Sequence, residues 1–358
     1  SSLVKAYLTE SLRAVVNDAM DIRAGAAIMR GPRNLLGRAY DAVPIGITVE
    51  GANILTRSMI IYGQGAIRCH PFVQREIEAA EQRDLVAFDA AFFGHVGFVF
   101  SSAARALLLG LTAGRIGGGH VGVPQVRRLV GRLSRLAAAF ALVSDVCMAT
   151  LGGKLKRREK ITGRLADVLA WMYIASATLK RFCDEGERLE DRPLAVWATE
   201  HALRQAEAAL AGILNNLPNR PAAWLLRPFV FPLGRREKGP SDALGSEVAE
   251  ALLEDRAVRA RLTHGIYLPP RDEPGLGRLE AALEKARRAL EVEKRIRAAV
   301  RAGTLERRGP GESLAQEALQ AGVISAEDLK LLDEADEARS EAVTVDAFTQ
   351  EAYRGLRR

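Results

Sequence analysis

Glu50 closes the run Pro44-Ile45-Gly46-Ile47-Thr48-Val49-Glu50, and Gly51, Ala52 and Asn53 follow it. Ile45, Ile47, Thr48 and Val49 favour extended backbone, Gly51 admits a positive φ or a close approach, and Asn53 is expected to open a helix. The chain is therefore expected to turn sharply at Glu50 and to hold its carboxylate in a dry pocket. Desolvation favours the neutral acid, whereas a helix N-terminus favours the carboxylate. The residue types thus leave two readings open: a general base, worth about 10²- to 10⁴-fold in rate, or a glutamate that only complements a helix end.

No other chemistry-bearing residues cluster in the sequence. Cys69, Cys147 and Cys183 lack CxxC spacing, which argues against a disulfide framework or a zinc site. His70, His95, His120, His201 and His264 are scattered, and no metal is expected. The net charge of +7 is concentrated in part at Lys154, Lys156, Arg157, Arg158, Lys160 and Arg164. That run has no interleaved aromatics and no nucleic-acid motif, so a solvated helix face is expected and no nucleic-acid partner. The segment from Pro221 to Leu233 carries Trp224, Phe229 and Phe231 among prolines and flanking arginines. It is too short to span a bilayer, and it reads equally as a membrane-interface anchor or as part of a core.

The elements that must position these residues are helices. Alanine, leucine, arginine and glutamate dominate, aromatics make up 6% of 358 residues, and few segments alternate as strands do. An all-α fold follows. Helices are expected near 2–20, 53–68, 71–81, 84–113, 122–151, 157–184, 192–215, 241–254, 276–301, 312–321, 326–339 and 345–355. The glycine-rich stretch 114–124 is the expected linker, dividing residues 1–115 from 116–358. Pro269 to Gly275 sets off a charged terminal segment, 268–358, whose Glu284/Arg288, Glu291/Arg295 and Glu293/Arg297 pairs support an exposed helix. There is no internal repeat.

Longer strings add a resemblance. Asn17-Asp18-Ala19-Met20-Asp21-Ile22, Leu36-Gly37-Arg38-Ala39-Tyr40, Val49-Glu50-Gly51-Ala52-Asn53-Ile54-Leu55-Thr56-Arg57 and Gly63-Gln64-Gly65-Ala66-Ile67-Arg68-Cys69-His70-Pro71 occur in this order. Downstream come Leu142-Val143-Ser144-Asp145-Val146, Leu151-Gly152-Gly153-Lys154-Leu155-Lys156-Arg157-Arg158-Glu159 and Pro218-Asn219-Arg220. Together they resemble the C-terminal half of bacterial fatty-acid acyl-CoA dehydrogenases of the FadE type. The resemblance implies a helical bundle followed by a helical C-terminal extension, with FAD as cofactor. It makes Glu50 the base that removes the α-proton of an acyl-CoA, with the β-hydrogen leaving as hydride to FAD. The Glu50 N–H would hold the thioester oxygen, and Gly51 would lie against substrate.

The same resemblance puts Gly25, Ala52 and Asn53 against the flavin. Two departures accompany this: Ala52 replaces a common threonine, and only Gly25 survives of a double-glycine loop. A simple turn is the alternative at Gly25. The implied partners are fatty acyl-CoA, electron-transferring flavoprotein and a second copy of the chain, at least a dimer. The expected location is the cytoplasm, with peripheral contact at the inner membrane. Because the chain starts without methionine and within a helical period, the expectation is a fragment whose remaining flavin pocket lies upstream. A non-catalytic helical module for oligomerisation or membrane docking is the alternative function.

Overall fold

The computed structural model describes residues 1–119, 122–254, 256–306 and 313–355. His120 and the first expected residue of the 312–321 helix lie outside them. Helices occur in the order α1 Ser2–Arg23, α2 Gly25–Ile28, α3 Leu36–Thr48, α4 Asn53–Leu55, a π-helix Thr56–Gln64, α5 Gly65–Cys69, α6 Val73–Gln82 and α7 Leu85–Leu111. There follow α8 Pro124–Leu151, α9 Glu159–Asp184, α10 Arg192–Asn216, α11 Arg220–Val230, α12 Asp242–Glu254 and α13 Arg256–Leu262. The last are α14 Leu276–Arg301, α15 Ala315–Gln320, α16 Ala326–Val343 and α17 Gln350–Gly355. Among the described residues there is no strand, as an all-α reading requires.

The chain forms two compact units, one of residues 1–10 and 47–262, the other of residues 11–46 and 263–358. The first is built on α8, α9 and α10, which pack against one another. In α9 the buried residues Ile161, Leu165, Val168, Met172, Ala175, Leu179 and Phe182 alternate spacings of four and three. Val196, Thr199, Leu203, Ala206, Leu210 and Ile213 repeat that seam in α10. Such a period keeps one stripe of each helix facing its neighbour. Leu165, Leu203, Leu210 and Ile213 lose all solvent contact, each worth roughly 1.5–3 kcal/mol.

The glycine-rich stretch 114–124 joins α7 to α8 inside this unit. At Gly114, Gly117 and Gly118 an added Cβ would meet neighbouring atoms. A Cβ on Gly131 of α8 would stand 2.1 Å from the Gly114 carbonyl oxygen, and Gly114 itself has φ +76°. A buried ionic network fastens the segment after α11. Arg135 donates to Glu207 at 2.7 Å and to Glu237 at 2.9 Å, and Glu207 also accepts from the N–H groups of Arg236 and Glu237. The segment 221–233 is largely helix α11: Ala223, Leu226 and Val230 are buried, Phe229 and Phe231 pack on the core, and Trp224 and Leu225 face out.

In the second unit α14, α15 and α16 enclose Ala289, Val292, Leu305, Ala318, Ile324, Leu332 and Ala335. Ser325 and Asp328 form a capping box at the start of α16. The helix expected from residue 345 begins only at Gln350, because the buried Asp346 carboxylate is engaged with the Arg33 N–H.

Residues 36–48 correct the expected extended run before Glu50. The buried Asn34 side chain accepts from the N–H groups of Leu36 and Gly37 and donates to the carbonyls of Ala27 and Met29. This cap starts α3, which runs through Pro44 and carries the β-branched residues in its last turns. Local β propensity is weak enough for such capping and packing to override it.

Candidate functional site

Where α3 ends, Glu50 adopts φ +54° and Gly51 φ +87°. A non-glycine residue in that region costs roughly 1–2 kcal/mol, a strain that recurs at functional positions. The turn at Glu50 is therefore present, but the dry pocket is not: Glu50 is exposed. Helix α3 ends two residues before it, leaving Val49 and Glu50 on the surface rather than between packed strands. Among the described residues nothing bonds to its carboxylate, and no group accepts from its N–H.

The turn is held from below by α1. Lys5 reaches the carbonyl oxygens of Gly51 at 2.7 Å and Ile47 at 3.4 Å, and the Asn53 side-chain oxygen at 2.8 Å. Asn53, 5% exposed, donates to Thr9 Oγ1 at 2.8 Å, Glu10 Oε1 at 3.1 Å and the Ala6 carbonyl at 3.2 Å. The helix does start at Asn53, yet Ala52 occupies the cap position with no side chain able to serve it. Asn53 instead faces α1.

One turn further, Arg57 forms a bidentate pair with Asp167 of α9, Nε to Oδ1 at 2.6 Å and Nη2 to Oδ2 at 2.5 Å. Tyr7 of α1 donates to the same carboxylate at 2.6 Å. Burial and the neighbouring Asp167 charge push the Tyr7 hydroxyl well above its ordinary range, so it stays a donor. Gly163 makes this crossing possible, since a Cβ there would stand 2.9 Å from Arg57 Nη1. Beside the clamp lies a cavity of about 360 Å³ lined by Ala6, Asn53, Ile54 and Trp171 among others.

From Thr56 to Gln64 the helix takes π register, a form that elsewhere marks functional segments. Thr162 of α9 donates to the Ser58 carbonyl at 2.6 Å, and the buried Tyr62 hydroxyl lies 2.5 Å from Ser144 Oγ. Both contacts tie this segment to the central helices.

Gly25 belongs to the second unit and opens α2 after Ala24, which has φ +47°. It is exposed, its own φ is not positive, and a Cβ there would meet only Val345 at 3.9 Å. Ala52, Glu50, Gly51 and Asn53 share one turn of the first unit.

Two side-chain groups escaped the sequence reading. Arg57 and Asp167 are 110 residues apart, and nothing local links them. The histidines scattered in sequence are partly gathered by the fold. His70 and His95 have ring centroids 4.6 Å apart and both face Asp145 of α8. One signal was available: Asp145 is a lone carboxylate in an apolar helical stretch, where an acid is rare unless partnered.

With this geometry in place, comparison with known proteins gives one result. A family model described as acyl-CoA dehydrogenase, C-terminal, bacterial type, matches residues 67–348, a span that begins after the Glu50 turn. No solved structure matches the chain.

Proposed function

Since the chain belongs to the bacterial-type acyl-CoA dehydrogenase C-terminal family, we propose that it takes part in α,β-dehydrogenation of fatty acyl-CoA to trans-2-enoyl-CoA, the first step of β-oxidation. Glu50 is the base for the α-proton in this reading. The observation that carries it is the Glu50 turn, where a strained backbone holds an exposed carboxylate and an N–H with no acceptor among the described residues. The carboxylate can take a proton from the α-carbon, and the N–H can donate to the thioester oxygen as enolate charge develops. Lys5 and Asn53 are positioning residues that fix the turn on α1.

The family is generally FAD-dependent, and the flavin supplies a hydride acceptor when bound. The fit of the residues assigned to it is partial. The Asn53 side chain does not fit, because its donors and acceptor are consumed by α1. Gly25 and Ala52 offer backbone and a small side chain only. No reaction step is therefore assigned to these three residues. Fatty acyl-CoA as substrate and electron-transferring flavoprotein as electron acceptor complete the proposal, with the exposed Lys154, Lys156, Arg157 and Arg158 available to CoA phosphates.

In the full-length protein, bound flavin should be bleached by acyl-CoA, and Glu50→Gln should retain the flavin but lose the bleaching. Bleaching by the Gln variant at the normal rate would overturn Glu50 as the base.

A second reading, a helical module for self-association or peripheral membrane docking at the cytoplasmic face of the inner membrane, is favoured by α7. That helix is long and apolar enough to cross a membrane. Phe93, Phe100 and Leu108 on it are exposed. A Phe93→Ser/Phe100→Ser variant that keeps the sedimentation behaviour and membrane partition of the unmodified protein would remove this reading.

A further inference from the structure

Outside the Glu50 turn, the least explained polar groups lie among α6, α7 and α8. His70 Nδ1 accepts from the backbone N–H groups of Phe72 at 3.2 Å and Val73 at 3.0 Å, just before α6. A neutral ring used in this way carries its proton on Nε2. That nitrogen lies 2.8 Å from Asp145 Oδ1, so His70 donates to the carboxylate and fixes its rotation. His95 is oriented by a second carboxylate: its Nδ1 lies 2.8 Å from Glu76 Oε1, which places the proton on Nδ1 and a lone pair on Nε2.

Two acceptors are left over. His95 Nε2 and Asp145 Oδ2 are buried without a hydrogen-bond partner, and the Asp145 side chain is only 5% exposed. His95 Nε2 stands 3.7 Å from Asp145 Oδ1, too long for a hydrogen bond. It is close to the roughly 3.3 Å that separates two ligands on a tetrahedral ion with 2.0–2.1 Å bonds. Both unpartnered acceptors belong to side chains whose ligand atoms lie within 4.8 Å of each other, and leaving buried acceptors unpaired is costly. A shared cation removes that cost. Glu76 then occupies the carboxylate position that commonly stands behind a metal-bound imidazole, and His70 stands behind the aspartate.

We propose that His95 Nε2 and Asp145 hold a divalent transition-metal ion of the zinc class, with Glu76 and His70 as positioning residues. Imidazole nitrogen beside a single carboxylate selects such an ion over magnesium or calcium, which favour all-oxygen sites. The remaining coordination positions open onto a cavity of about 480 Å³ walled by Phe92, Val96, Val99, Phe100 and Met148. Two protein ligands with open positions describe an exchangeable site rather than a closed structural one.

The test uses the full, tag-free chain, stripped with a chelator and dialysed. Zinc is titrated by calorimetry and cobalt by visible absorption. One equivalent should bind, with the intense d–d bands of low-coordinate cobalt. His95→Ala should weaken binding at least 100-fold, and Glu76→Gln by about 10- to 100-fold. Asp145→Asn should abolish it. Should the Asn variant lose its helical circular dichroism, His95→Ala decides, because that ring is partly exposed and its removal spares the core. Absence of stoichiometric binding by the unmodified chain, or unchanged affinity in His95→Ala, overturns the proposal.

Discussion

Replacing Asn53 by alanine separates a positioning role from a cofactor role at the Glu50 turn. The side chain is 5% exposed, accepts from Lys5 and shares two amide protons among Thr9, Glu10 and the Ala6 carbonyl. Loss of about three hydrogen bonds, one of them from an ammonium group, costs about 2–4 kcal/mol at 0.5–1.5 kcal/mol for a neutral bond and more for the charged one. Lys5 keeps the carbonyls of Gly51 and Ile47, so the upper end is not expected. For a unit of this size, 3 kcal/mol lowers Tm by roughly 6–12 °C. Asn53→Asp should be at least as damaging. It retains the acceptor for Lys5 but turns a second oxygen toward the Ala6 carbonyl and the Glu10 carboxylate. Urea denaturation followed by circular dichroism, on cofactor-free protein, measures both variants. A loss below about 0.5 kcal/mol for either would refute the clamp, since a residue that only touched a cofactor would leave cofactor-free stability unchanged.

Three further outcomes follow from the same structure. Gly131→Ala should destabilise by about 1–3 kcal/mol or more, because the added Cβ meets the Gly114 carbonyl; a melting curve that overlays the unmodified one would contradict the packing of the 114–119 turn on α8. His201, stacked on Trp197, has its pKa lowered first by burial and then by Arg204. Its neutral form is the one the fold favours, so its contribution is complete above about pH 6.5 and is lost as pH falls below that value. His201→Gln should flatten the acid side of the stability profile there, and an unchanged slope would exclude the histidine as its source. Cys69 is exposed, whereas Cys147 is buried and its thiol is pushed up to about 12 by burial. A thiol reagent should label Cys69 in the native protein and Cys147 only in denaturant, and rapid native labelling of Cys147 would show that α8 opens.

The long helices were legible because their signal is local. A seam such as Ile161, Leu165, Val168, Met172 is written in spacing alone, and only one period buries it. The place of the Glu50 turn was legible for the same reason, since Gly51 and Asn53 mark it within a few residues. What lay hidden were decisions made by distant partners. Asn34, through its cap, made a helix of residues that prefer extended backbone, and α1 claimed the Asn53 side chain. The 114–124 stretch shows the same division: its glycines announce a break, but only the nearness of Gly131 shows that Gly114 lets two backbones touch.

By itself, then, the sequence determined an all-α chain of the acyl-CoA dehydrogenase C-terminal kind and the position of its turn. The tertiary structure alone decided that Glu50 stands exposed and strained, that Arg57 crosses Gly163 to reach Asp167, and that His70, His95 and Asp145 come together. The physical reason is that helical periodicity acts over three or four residues, whereas a polar cluster is assembled by packing between helices whose residues lie tens of positions apart.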